Sequence, residues 1–156
     1  MLRNALPLTV VTLAVASANS CSGQARIAAA GDSVALAEVR YAPSTFDTVS
    51  WSTPASRLEE GRLVWRSCCA MCHGVSGAGD GDLAGARALE MPTLELDSIV
   101  CSGDICSIRH RIFIGSHGTM PMWGLHGLAY REIDAVSAFI LECIRSDDVT
   151  VDQYRR

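Results

Sequence analysis

Five consecutive residues constrain this chain more than any others: Cys69-Ala70-Met71-Cys72-His73. Two thiols three apart at a helix end can each form a thioether with one vinyl group of a porphyrin. The next residue is then held beneath the ring, so that an imidazole there reaches the iron from the proximal side. Other chemistries use a C-x-x-C pair. A thioredoxin-like redox pair needs a βαβ context, and no strand alternation of useful length occurs in the sequence. A zinc site would need a second half, and Cys101 and Cys106 are spaced more widely than the pairs of a zinc ribbon. The expected cofactor is haem c, one per chain, bound through Cys69, Cys72 and His73.

A haem iron held by His73 calls for a ligand on its far face. Gly118-Thr119-Met120-Pro121-Met122-Trp123 stands well downstream. A thioether is a soft, neutral ligand that favours ferrous iron and raises the reduction potential. A single methionine is more often filler in a core, but Met120 and Met122 lie in a Gly/Pro-rich loop and not on a helical stripe. Met120 is the first choice of metal ligand. Met122, His117 and His126 are the alternatives, although His110, His117 and His126 also read as ordinary surface histidines.

The N-terminus reads as an address. Arg3 supplies a positive start, Ala5 to Ala16 an apolar run, and Ala16-Ser17-Ala18 an A-x-A cleavage site. The run is too short for a comfortable membrane span. Residues 1–20 are therefore expected to be a signal peptide that exports the chain to the periplasm or to the periplasmic face of a membrane. Ala18-Asn19-Ser20-Cys21 also resembles a bacterial lipoprotein box, with Ala18 and Asn19 departing from its usual residues. Lipid on Cys21 and ordinary cleavage after Ala18 both remain open.

Seven cysteines then need an account. With Cys69 and Cys72 given to haem, Cys101 and Cys106 bracket a short loop and form a candidate disulfide. A lipidated Cys21 would leave Cys68 and Cys143 as a pair or as two buried thiols. At 156 residues the chain is sized for one domain, and its net charge of −4 offers no basic patch for nucleic acid.

Along the chain, residues 21–52 lack a clear period and are expected to form a tether or a partner-facing extension. Within it, residues 27–36 are Ala-rich enough for a short helix, and Ala42-Pro43-Ser44-Thr45 reads as loop. The domain proper is placed at 53–146, with a tail at 147–156. Thr53-Pro54 marks a helix start, and Ser56 with Glu59 has the form of a capping box. Leu58, Gly61, Trp65 and Cys68 share one helical face. A glycine-rich loop occupies residues 74–81. Short helices are expected over 83–90, ending before Pro92, and over 104–114, ending at Gly115. In the last helix Ile133, Val136, Phe139, Ile140 and Cys143 form an apolar stripe, with Arg131, Glu132, Asp134 and Glu142 off it. The fold class is all-α with long loops.

Together these features resemble the class I cytochrome c family over about residues 55 to 144. Gly61 and Trp65 fit that family's N-terminal helix, where a glycine admits an aromatic of the C-terminal helix, here Phe139. The resemblance implies three to five short helices with long loops around one covalent haem. It further implies that Pro92 offers its carbonyl to the His73 ring N–H and that Leu94 packs on the haem face. Met120-Pro121 falls where the family has its ligand methionine. Cys68 beside Cys69 and Ala129 at the start of the last helix depart from the pattern. The Cys-His-Gly-x-x-Gly-x-Gly-Asp-Gly run is similar to monohaem subunits of respiratory complexes, including the small cytochrome subunit of alternative complex III.

The family resemblance implies an electron carrier whose partners are redox proteins or membrane-complex subunits, with membrane attachment through Cys21 if it is lipidated. A haem enzyme or a gas or redox sensor would instead need a displaceable sixth ligand.

Overall fold

The computed structural model describes residues 33–116 and 120–144. The signal segment at 1–20, Cys21, residues 21–32 of the expected tether, His117 and the tail at 147–156 lie outside the described residues.

Residues 33–40 are helical (α1) and lead into a short 3-10 helix, Pro43–Thr48. α2, Pro54–Val64, widens into a π-helical turn at Trp65–Cys69 and runs on into α3, Ala70–His73. Three short helices follow: α4 at Asp82–Ala86, α5 at Ser98–Ser102 and α6 at Ile105–Ile114. α7, Tyr130–Phe139, also ends in a π-helical turn, Ile140–Ile144. Among the described residues the only strand-type pairing is an isolated bridge between Ser116 and Met120. The architecture of the described residues is all-α with long loops, as expected.

Local chemistry explains where the helices begin and end. Pro54 opens α2 with its φ already helical. Thr53 caps it, its hydroxyl accepting from Ser56 N at 3.0 Å while the Ser56 hydroxyl accepts from Thr53 N at 3.2 Å. The box therefore sits one turn earlier than the Ser56/Glu59 pair suggested. Glu59 instead takes Arg62 at 2.6 Å along the same helix. Asp104 caps α6 through both carboxylate oxygens, and Gly115 ends it. α5 was not signalled by any periodicity; it is capped by Asp97 and closed by Gly103. The helix expected over 83–90 stops at Ala86. Ala129 has no side-chain acceptor, so α7 keeps half a capping box: Glu132 accepts from the Ala129 N–H at 2.7 Å.

Burial differs from expectation in two places. α7 is buried on all sides from Ile133 to Ile140, Asp134 included at 3% exposure. A lone charge off the apolar stripe would normally face water. Here it is held inside because Trp51, Arg57 and Arg109 all bond to it.

The second difference concerns the stretch expected to be a tether, which packs onto the domain from Ala37 onward. Ala37 is fully buried and Phe46 joins the core, stacking edge-on against Tyr130. The Tyr130 hydroxyl accepts from Ala42 N at 2.7 Å and donates to Arg40 O. A polar N-terminal strap held by one tyrosine and one aspartate escapes detection because neither anchor lies near it in sequence.

α2 and α7 pack against each other more extensively than any other pair of elements. They cross where Gly61 meets Ala135 and Phe139. Trp65, Phe139, Ile133 and Val136 form the centre of the core.

Candidate haem site

The Cys69–His73 run lies where α2 ends against the core. Cys69 is buried, Cys72 and His73 are half-buried, and Met71 faces out. The carbonyls at the end of α3 lack intrahelical partners and take them from the glycine-rich loop. Gly74 N donates to Ala70 O, Gly79 N to His73 O at 2.8 Å and Gly81 N to Cys72 O at 3.3 Å. Gly79 has φ +81, and a Cβ there would stand 2.4 Å from Met91 O. The loop is thus glycine-rich because it must fold back tightly over the end of the motif. On the core side Trp65 lies 5.9 Å from His73 between ring centroids and donates its indole N–H to Val75 O.

His73 lines two adjoining cavities. One is walled by Trp65, Pro92, Leu94, Asp97, Arg111 and Ile140, the other by Cys69, Cys72, Leu83, Leu89 and Pro121; Met120 lines both. His73 and Met120 therefore face a common, mainly apolar cleft bordered by the two thiols. The bridge from Ser116 N to Met120 O, 3.1 Å long, holds the methionine's backbone. Met122 and His126 line neither cavity, and the Met122 carbonyl instead accepts from Leu125 N and His126 N. His117 lies outside the described residues.

Leu94 is buried at the cleft wall, its N–H bonded to Gly77 O. Pro92 lines the cleft as well, but the expected bond from the His73 ring to its carbonyl is not formed. His73 Nδ1 is buried and has no hydrogen-bond partner. Cys101 and Cys106 are both exposed and not bonded to each other; Cys101 donates to Glu95 O instead. Cys68 shares the cavity of Cys69 and Cys72, and Cys143 is fully buried. Among the described residues no three of His, Cys, Asp and Glu gather as a metal-binding cluster, so nothing joins Cys101 and Cys106 to the motif as a zinc site.

Electrostatics suit the same chemistry. Burial pushes the His73 pKa below its ordinary 6.5, with Asp97 opposing in part. The imidazole is neutral near pH 7 and has a lone pair to give. Burial, then the neighbouring Cys68 and Cys72, push the Cys69 thiol up to about 12. It is therefore protonated near neutral pH. The donor set fits a covalent haem: two thiols, a neutral imidazole with an orphaned second nitrogen, an apolar cleft and a thioether facing it.

Sequence reasoning did not single out Asp97 or Arg111 at this cleft. An Asp-Ser pair ahead of Ile99 and Val100 is a readable helix cap, but nothing in the spacing tells that the cap faces His73.

An all-α domain with this motif at the head of an apolar cleft is a c-type cytochrome domain. Residues 56–140 match the family model described as cytochrome c oxidase, cbb3-type, subunit III. The chain belongs to this family. It is 33% identical over 72 residues to a cbb3-type cytochrome c oxidase subunit CcoP from Azospirillum brasilense, a match that covers 46% of this chain and 24% of that relative. The chain thus aligns with only about a quarter of the relative's length. No solved structure matches it.

Proposed function

We propose that this protein carries single electrons on one covalently attached haem c, with Cys69 and Cys72 as thioether partners and His73 and Met120 as axial ligands. The observation that supports the reading best is that His73 and Met120 face one cleft bordered by both cysteines. When bound, the haem supplies a one-electron ferric/ferrous couple. The protein's work is positional. His73 and Met120 would occupy both axial positions and leave no open site for a substrate. Leu94, Trp65 and Ile140 exclude water from the cleft and so favour the less charged ferrous state. Met71, exposed between the cysteines, leaves that edge open to a partner.

The relative's description as an oxidase subunit supports a place beside a membrane complex, with redox proteins as donor and acceptor. No described helix is long and apolar enough to cross a membrane. The segment at 1–20 is read as the export address, with Cys21 as a lipid acceptor or Ala18 as the cleavage point.

The test is spectroscopic. Holoprotein from the exported fraction is expected to show a c-type α band, one haem per chain by pyridine haemochrome, and the weak sulfur-to-iron band of a ferric His/Met pair. Met120→Ala should abolish that sulfur band and lower the reduction potential by roughly 0.1–0.3 V, within the ~0.8 V range that axial ligands span. Met122→Ala should keep both. The reverse pattern would transfer the role to Met122. Carbon monoxide binding to the unmodified ferrous protein would favour a sensor or enzyme with a displaceable ligand.

A further inference from the structure

We propose that the cavity between the N-terminal strap and α6 is a binding site for a small amphiphilic carboxylate, with Arg111 taking its head group. The lining is protein alone, so the inference stands apart from the reading of His73 and Met120 as haem ligands.

This cavity, of about 600 Å³, is larger than either of the two at the haem site. Small-molecule sites run from about 300 to 1,000 Å³. Val34 of α1, Tyr41 and Pro43 of the strap, Ile99 of α5 and Ile114 of α6 give it a mainly apolar wall. The strap side is held by contacts of its own. Tyr41 stacks edge-on against His110 at 4.8 Å and against Phe113 at 5.3 Å between ring centroids, and His110 Nε2 lies 3.0 Å from Glu38 Oε2. A site with walls held in this way costs little to order on binding.

The polar groups on the wall single out one class of ligand. Ser107 is committed to the cap of α6, its hydroxyl donating to Asp104, and His110 is paired with Glu38. Arg111 is exposed at the rim and makes no ion pair among the described residues. Among the lining residues there is no Asp or Glu. An apolar slot with a guanidinium at its rim fits an alkyl or aryl body that ends in an anion. A carboxylate takes the guanidinium fork through two parallel bonds.

Calorimetric titration of ferrous holoprotein with octanoate and, separately, with octan-1-ol tests the assignment. The two share an alkyl chain and differ in the head group. In a purely apolar groove the alcohol binds better, because a carboxylate is costly to desolvate. Here octanoate is expected to bind about tenfold more tightly than octanol. Arg111→Met should weaken octanoate about tenfold and leave octanol within about twofold. Val34→Trp, which fills the cavity from the α1 side, should abolish binding of both. On titration with octanoate the methyl resonances of Ile99 and Ile114 should move, while those of Leu36 and Val39, exposed on α1, stay in place.

Ile99, Arg111 and Ser116 also line the haem cleft, so the two cavities share a wall. If the guanidinium turns to the cleft in the holoprotein, octanol will bind at least as tightly as octanoate and Arg111→Met will change neither. Either result would overturn the proposal. So would the absence of saturable octanoate binding, or shifts at Leu36 and Val39 in place of Ile99 and Ile114. Arg111 is exposed, so Arg111→Met keeps the fold, and the methyl shifts test the site without any substitution.

Discussion

Gly61→Ala is expected to destabilise the domain by about 2–3 kcal/mol, the opposite of what the same change does in an open helix. In an exposed helix interior alanine is favoured over glycine by roughly 1 kcal/mol. At Gly61 that gain is overwhelmed. A Cβ there would stand 2.3 Å from Ala135 O and 2.7 Å from Phe139 Cβ, so α2 and α7 would have to move apart. Backbone cannot give way as the end of a long side chain can. The whole contact between the two best-packed helices loosens, and with it the wall that Trp65 and Ile140 give the cleft.

Gly85 is the internal control. It lies in α4, is exposed, and has nothing within 4 Å of a built Cβ. Gly85→Ala should stabilise the protein by about 0.5–1 kcal/mol. Urea unfolding of both variants as holoproteins checks the pair. Equal effects of the same sign would mean that the α2–α7 crossing is not as close as described.

That crossing was legible in the sequence because its signals are local. Gly61 and Trp65 stand at helical spacing ahead of the cysteines, and Phe139 belongs to an apolar stripe with the same period. The start of α2 and the stop of α6 were legible for the same reason, since Pro54 and Gly115 act on their own backbones. The cysteines and His73 read as a unit because the C-x-x-C-H spacing sets them within five residues. Beyond that run, sequence could name Met120 and Met122 but not choose between them on geometry. In the fold Met120 lines the cavities that His73 lines and Met122 does not, while the Met122 carbonyl is committed to a turn.

What escaped were contacts made by single residues across long sequence distances. Tyr130 and Ala42 are 88 residues apart, and Asp134 and Trp51 83 apart. No periodicity marks either pair, so residues 37–51 read as tether although they are part of the packed unit. α5 escaped because five residues are too few to show a helical period, leaving its cap as the only sign. The bond from His73 to Pro92 is an expectation by resemblance; in this structure His73 Nδ1 is buried without a partner and Pro92 lines the same cleft.

Asp134→Asn should be more damaging still, costing about 3–5 kcal/mol near neutral pH. Asp134 is 4% exposed on its side chain and is bonded by Arg57 at 2.8 and 2.9 Å, by Arg109, and by the Trp51 indole at 2.7 Å. These partners come from the N-terminal strap, α2 and α6, so one carboxylate on α7 ties four segments together. Asparagine has nearly the same shape, and it leaves two partly buried guanidinium groups without their counter-charge. That is the costly way to break a buried pair, because the desolvation already incurred by the arginines is no longer offset.

The pH dependence separates this from a simple packing loss. Burial alone would raise the Asp134 pKa, but the bonds from Trp51, Arg57 and Arg109 together hold it below the ordinary 3.8. A carboxyl whose folded value lies below its unfolded one contributes fully above the unfolded value. The contribution fades as pH falls through the folded value. The stability gap between the unmodified protein and Asp134→Asn should therefore be wide at about pH 7 and narrow steadily below about pH 4. Urea unfolding of both across that range measures it. A gap that stays constant down to acid pH would mean that the carboxylate charge does not hold the strap, α2 and α6 to α7, and that shape alone does.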